Sequence, residues 1–254
     1  MVKKVVLEMR NATIELGHKE ILKNINLQVF EGERLVLIGP SGGGKTVLIK
    51  AMAGVYPPTK GEILIEGEDW KSLESDEKHE LARKLGMLFQ RSALFDTLTT
   101  LENVEFPIRE HYDFEEEKIH RIAKDLLAKV NLSDSHHKLP SELSGGMQRR
   151  LGIARALALN PSIVFYDDPV AGQDPIQTYQ MLELIMDFKT KHNSTLLIST
   201  SSMKVAYKIA DRIIMVVDES IIDCGSPEQT KKHPDPRVQQ FIHGEVEGPI
   251  KEKF

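Results

Sequence analysis

Apolar and polar residues alternate along the first third of the chain as they do in sheet. The stretches VVLEMRNATIEL, INLQVF and RLVLIGP are separated by LGHKE and FEGE. A glycine-rich stretch comes next, then the helix-like KTVLIKAMAG, a turn at VYPPTKGE, and a return to strand at EILIEGE. The middle reads as helix. Thr99 and Glu102 have capping-box spacing at the start of TTLENVEFPI, and Ile119, Ile122, Ala123, Leu126, Leu127 and Val130 recur at three- and four-residue steps. This stripe predicts core packing, because the opposite face carries charges of both signs. The last third alternates strand with helix: SIVFYD, PIQTYQMLELIMDFK, STLLIST, a helix near SMKVAYKIA, and RIIMVVD. Apolar strands separated by helices predict parallel βαβ units. The pattern therefore gives an α/β fold with a parallel-sheet core, early antiparallel strands and a helical insert near 91–155. After Gly244 it gives a loosely structured tail.

Composition narrows the class. With 254 residues, 41% hydrophobic and 28% charged, the chain can bury a large core, which excludes disordered and collagen-like classes. A formal net charge of −5 gives no global basic field, so nucleic acid is not an expected partner. Cys224 is the single cysteine, so no intrachain disulfide or cysteine metal cluster is possible; a buried, inert thiol in a reducing compartment is expected. The first residues lack the apolar stretch of a signal peptide, and no run approaches about 18 apolar residues, so no direct membrane insertion is expected.

Candidate chemistry begins at LVLIGPSGGGKTVLIK. Gly39, Gly44, Lys45 and Thr46 follow the spacing G-x-x-x-x-G-K-T, directly after a strand and directly before a helix. Glycines let successive amides turn toward one anion, and the helix N-terminus adds positive potential at the same point. The expected nucleotide cradle comprises Gly39, Pro40, Ser41, Gly42, Gly43, Gly44, Lys45, Thr46 and Val47. Lys45 is placed to reach the β- and γ-phosphates, and the Thr46 hydroxyl to hold Mg²⁺.

The stretch SELSGGMQRRLGIARALALNPSIVFYDDP selects among phosphate-binding machines. Here the sequence resembles the ATP-binding subunit of ATP-binding-cassette (ABC) transporters, through nearly the whole chain. The resemblance implies a P-loop NTPase of the ABC type that binds ATP and Mg²⁺. Its domain would span 1–244, with a core of 1–90 and 156–244 and a helical subdomain at 91–155, followed by a tail at 245–254. Gln90 in GMLFQ matches the Q-loop, which touches Mg²⁺ and the attacking water. LSGGMQ, with Ser144, Gly145, Gly146 and Gln148, matches the signature sequence, which in the family reaches ATP bound by a second subunit. The chain is accordingly expected to pair head to tail, preferentially with its own copy. Asp167 matches the Walker B carboxylate that holds Mg²⁺. AGQD matches the D-loop, and Asp174 suits either that role or the cap of the helix that Pro175 starts.

Finer features, including MLFQRSALFDTLTTLENVEFPIREH, GQDP and HPDPRVQQFIHG, are similar to the ATPase of Mla-type systems. Those systems move phospholipids between membranes with MCE-domain lipid-binding proteins. The resemblance implies a membrane permease partner and a peripheral, cytoplasmic place on the inner membrane.

The pattern breaks in three places. Asp168 stands where the family has a glutamate that polarises the attacking water, and its carboxylate falls short by about 1.5 Å. A misplacement of about 1 Å can cost on the order of a hundredfold in rate, so slow hydrolysis is expected unless the backbone compensates. Thr200 aligns with a histidine that contacts the γ-phosphate in the family. Leu16 occupies the place of an aromatic residue that stacks on adenine, and offers no π-face. An intact signature beside altered catalytic positions also fits one half of a heterodimer; a soluble ATP-switched assembly factor is the alternative from a different class. His136 and His137 could bind metal or lie in a solvated loop. The segment after His233 is either a partner-binding tail or a terminus packed through Phe241 and Ile242.

Overall fold

The computed structural model describes residues 3–90 and 92–251. Arg91, first in the expected helical subdomain, and residues 252–254 of the expected tail lie outside the described residues. The chain divides into two compact units, Met1–Leu73 with Thr195–Phe254, and Glu74–Ser194.

The first unit holds two sheets. Strands β1 (Val5–Leu16) and β2 (Lys19–Phe30) form a long antiparallel hairpin, paired from Val5↔Phe30 to Leu16↔Lys19 with several shifts of register. The register shifts between Met9 and Ala12, where Asn11 adopts φ 46. Asparagine tolerates this left-handed conformation, and the shift is fixed by side-chain pairing: the Asn11 N–H donates to Asn26 Oδ1 at 3.0 Å, and Asn26 Nδ2 donates to Asn11 Oδ1 at 3.1 Å. Strands β4 (Lys60–Ile65) and β5 (Glu68–Asp69) extend this sheet on the β1 side.

In the other sheet of this unit, β3 (Arg34–Ile38) lies between β8 (Thr195–Ser199) and β9 (Arg212–Val217), parallel to both; β10 (Ser220–Gly225) closes the β9 edge antiparallel. Leu35, Val36, Leu37 and Ile38 are all fully buried, each contributing on the order of 1.5–3 kcal/mol of apolar burial. That continuous burial is what a parallel strand covered on both faces requires. Among the described residues this unit has helices α1 (Lys45–Met52), α7 (Met203–Ile209), α8 (Pro227–Lys231) and α9 (Pro236–His243). In α9 the buried residues are Val238 and Gln240, whereas Phe241 and Ile242, the expected packing residues, are only half-buried.

The start of the tail is held rather than loose. The Ile250 N–H donates to Gln240 Oε1 at 2.7 Å, while Gln240 Nε2 donates to the Glu245 and Ile250 carbonyls at 3.3 and 3.2 Å.

The second unit contains β6 (Leu85–Leu88) and β7 (Ile163–Asp167), parallel in the register Leu85↔Ile163 to Leu88↔Tyr166. Its helices are α2 (Ser75–Ala82), α3 (Thr100–His111), α4 (Glu116–Lys129), α5 (Gly145–Ala156) and α6 (Pro175–His192). The capping box at Thr99 and Glu102 is present, and Ile119, Ala123, Leu126 and Leu127 form the buried face of α4. A polar link joins α3 to α4. Glu105, 3% exposed, accepts from Arg109 at 3.0 Å and lies 2.7 Å from His120 Nδ1. The expected helical insert lies inside this unit, which also takes in the strands β6 and β7 and helix α6.

Candidate functional site

The glycine-rich loop joins β3 to α1. Gly39, Gly42 and Gly44 have φ of 137, 73 and 102, values that side chains disfavour, and the Gly43 N–H closes the loop on the Pro40 carbonyl at 3.1 Å. At Gly39 space is also decisive: a Cβ there would lie 2.2 Å from the Val216 carbonyl oxygen on β9. Helix α1 begins at Lys45 with no side-chain cap and no acidic residue in its first turn. The first turn thus adds no carboxylate of its own to the positive helix end, which suits a polyphosphate. The Lys45 ammonium donates to the Gly39 and Pro40 carbonyls at 2.7 and 2.9 Å, keeping its charge at the mouth of the loop. The Thr46 hydroxyl belongs to the same first turn. Backbone shape, the helix end and the lysine together fit a nucleotide triphosphate with a bound cation.

The carboxylates of the second unit stand at the end of β7. Asp167 is 2% exposed and is the last strand residue; Asp168 is half-buried, with φ 47. Aspartate is among the few residues that accept a left-handed backbone readily, and the change from extended to left-handed re-aims the Cα–Cβ bond at this position. The following turn is closed by the Ala171 N–H donating to the Asp168 carbonyl at 3.2 Å and the Gln173 N–H donating to the Val170 carbonyl at 3.2 Å. Asp174 caps α6, accepting from the Ile176 and Gln177 amides at 2.8 and 3.0 Å. Tyr166, one residue before Asp167 in β7, is fully buried and has its phenol pushed up by that burial.

The signature residues start α5. Ser144 caps the helix by accepting from the Met147 N–H at 3.3 Å, and Gly145 is exposed beside it. Gln148, expected on the nucleotide, instead donates from Nε2 to the Pro140 and Leu143 carbonyls at 2.8 and 3.3 Å, fastening the loop that delivers Ser144. A cleft of about 750 Å³ opens in front of this helix end, lined by Ser144, Gly145, Gly146, Arg150, Gln173 and Gln177 among others. The amides of the helix end, Lys129 and Arg150 are its anion-binding groups, and Glu183 and Asp187 also line it.

Thr200 is 1% exposed and extends the β3 ladder, its N–H donating to the Leu37 carbonyl at 2.9 Å. Its hydroxyl accepts from the Ser202 N–H at 3.1 Å, and Ser202 in turn caps α7. The residue presented to solvent at this strand end is Ser201. Thr-x-Ser ahead of a helix suits a hydroxyl-closed turn, which engages the first hydroxyl. Gln90 is exposed just after β6. Leu16, 37% exposed, ends β1 opposite Lys19, as an ordinary strand residue does. Among the described residues no three His, Cys, Asp or Glu side chains gather as a metal cluster, and no helix is long and apolar enough to cross a membrane. The Cys224 thiol is buried and pushed up to about 12, chiefly by desolvation.

Residues 22–171 match the family described as ABC transporter, more than half of the chain and inclusive of the loop, the signature and both aspartates. The chain belongs to this family. It is the ATP-binding protein of an ABC transporter and an ABC-type ATPase. The intermembrane phospholipid transport system ATP-binding protein MlaF of Haemophilus influenzae is 40% identical over 98% of this chain and 94% of its own length. A probable ribonucleotide transport ATP-binding protein, mkl, of Mycobacterium leprae is 37% identical over 97% of this chain and 71% of its own. The ABC cassette MJ0796, solved as a dimer in a post-hydrolysis state bound to ADP and Pi, superposes with a TM-score of 0.78 at 32% identity, covering 85% of this chain and 96% of that one. ABC cassettes bind nucleotide, dimerise and pair with permeases, and this chain has the same fold.

Proposed function

We propose that this chain powers phospholipid transport between membranes as a homodimer docked on a membrane permease, in a complex with an MCE-domain lipid-binding protein. The observation that carries the reading is the near end-to-end match to the MlaF relative, 98% of this chain against 94% of that one. The same complex would place the chain peripherally on the cytoplasmic face of the inner membrane.

In this reading Lys45 and the amides from Gly39 to Val47 hold the phosphates of ATP. Thr46, Asp167 and Gln90 would hold Mg²⁺, which would supply positive charge against the phosphates. Asp168 orients the attacking water and receives its proton. Its left-handed backbone supports a compensated, competent carboxylate in place of a longer one. Ser201, exposed where Thr200 is buried, is the hydroxyl that faces the γ-phosphate. Ser144, Gly145 and Gly146 of one copy reach the nucleotide held by the other, with Asp174 shaping the turn between them.

The test is to purify the chain with its membrane partners and measure ATP-driven transfer of labelled phospholipid between vesicles, alongside ribonucleotide uptake. Lipid transfer that stops on Lys45→Ala is expected. Uptake of ribonucleotides without lipid transfer would favour the function named for the mycobacterial relatives. Isolation without any permease would leave the soluble assembly factor, and co-isolation with a second, different ATPase subunit the heterodimer.

A further inference from the structure

The signature helix is tied to the Asp168 turn within one chain, and the tie passes through a single residue. Arg149 Nη2 donates to the Ala171 carbonyl at 2.6 Å. On the other side of that residue, the Ala171 N–H donates to the Asp168 carbonyl at 3.2 Å. Ala171 is thus held from both ends, by α5 through its oxygen and by Asp168 through its nitrogen. Arg149 lies on the second turn of α5, whose first turn is fixed separately by the Ser144 cap and by Gln148 on the Pro140 and Leu143 carbonyls. The adjacent Gly172 has φ 68, so the turn contains two left-handed residues, at 168 and 172, with the Arg149 contact between them. Left-handed aspartate costs free energy unless its surroundings hold it there, and a charge-assisted hydrogen bond to the turn is such a restraint.

From this geometry we infer that Arg149 is a positioning residue for hydrolysis: it holds the 168–171 turn and thereby sets where the short carboxylate of Asp168 points. The inference rests on the assignment of Asp168 made above. Because α5 also carries the signature, a displacement of the signature helix is transmitted to the Asp168 turn of the same chain. Nucleotide engaged at one site of a dimer is in this way felt by the carboxylate serving the other.

The experiment compares native protein, Arg149→Met, Arg149→Lys and Asp168→Asn, in complex with the membrane partners. It measures kcat and KM for ATP, the Hill coefficient, thermal stability and amide exchange at Ala171. Arg149→Met is expected to lower kcat at least tenfold with KM within about twofold, to bring the Hill coefficient toward one and to speed exchange at Ala171. Arg149→Lys, which keeps the charge and one donor, is expected to recover part of kcat. A kcat loss that only follows a fall in thermal stability, with no change in the Hill coefficient and no rescue by lysine, overturns the inference in favour of a packing role. Native turnover that Asp168→Asn abolishes and Arg149→Met leaves intact overturns this inference alone. Turnover that survives Asp168→Asn overturns the assignment of Asp168 and this inference with it.

Discussion

The phosphate loop and the turn after β7 solve different problems with different materials. Between Gly39 and Thr46 the working parts are mostly backbone: amides, a helix end, and glycines at φ values other residues avoid. At Asp168 and around Thr200 the working parts of the proposed mechanism are side chains. The contrast teaches that binding is written into chain geometry, where a single methyl group is excluded. Cleavage is written into side-chain reach, where a lost methylene can be offset by re-aiming the backbone.

The largest expected effect tests the loop. Gly39→Ala drives a Cβ into the Val216 carbonyl at 2.2 Å and should destabilise the fold by more than about 3 kcal/mol, read as a lowered denaturant midpoint. A variant that folds and binds ATP normally would break the claim that backbone shape carries binding. Lys45→Ala should leave the fold intact and cut turnover by two or three orders of magnitude.

Next come the side-chain positions. Asp168→Asn should lower kcat at least a hundredfold, whereas Asp168→Glu should stay within about threefold of native, since the turn is already set for the shorter residue. A tenfold gain from the glutamate would show instead that reach limits the reaction. Ser201→His should raise turnover severalfold, while Thr200→His, forced into a site that is 1% exposed, should reduce the yield of folded protein. Equal behaviour of the two would undo the distinction between them.

The smallest effect separates the two units by pH. His111, His136 and His192 all lie in the second unit, and burial is the first cause holding each below the ordinary histidine value. Between that lowered value and about 6.5 the unfolded chain binds more protons than the folded one. Stability contributed by these residues is therefore full above about pH 7 and is lost as pH falls through the window. Protection factors in α3, taken relative to the intrinsic exchange rate at each pH, should fall on moving from pH 7.5 to 5.5; higher protection at the lower pH would contradict the sign.

Much of this was legible in the sequence, for reasons that follow the same division. The loop, the signature and the capping boxes are local patterns, and the stripe of α4 has a clear helical period, so each could be read from neighbours a few residues apart. Helix α2 was hidden because SDEKHELA buries only Leu81 and so has no stripe. Strand β10 was hidden because its hairpin turns at Asp218 and Glu219, with φ 49 and 61, in place of the glycine that usually marks such a turn. The contacts of Thr200 and Gln148 were not legible for another reason. Each lies beside the site by sequence, yet spends its polar atoms on a neighbouring loop, a choice visible only once those loops are in place.

Gln240 has a consequence for anyone who shortens or fuses the protein at its C-terminal end. Its carboxamide is 6% exposed and meets the returning chain with donor and acceptor together, imitating one rung of a sheet, while Gly248 leaves room for it. Cutting after Gly244 strips both halves of that rung at once, stranding a desolvated amide at a cost of about 1–3 kcal/mol. Residues 245–251 are therefore part of what keeps the domain folded.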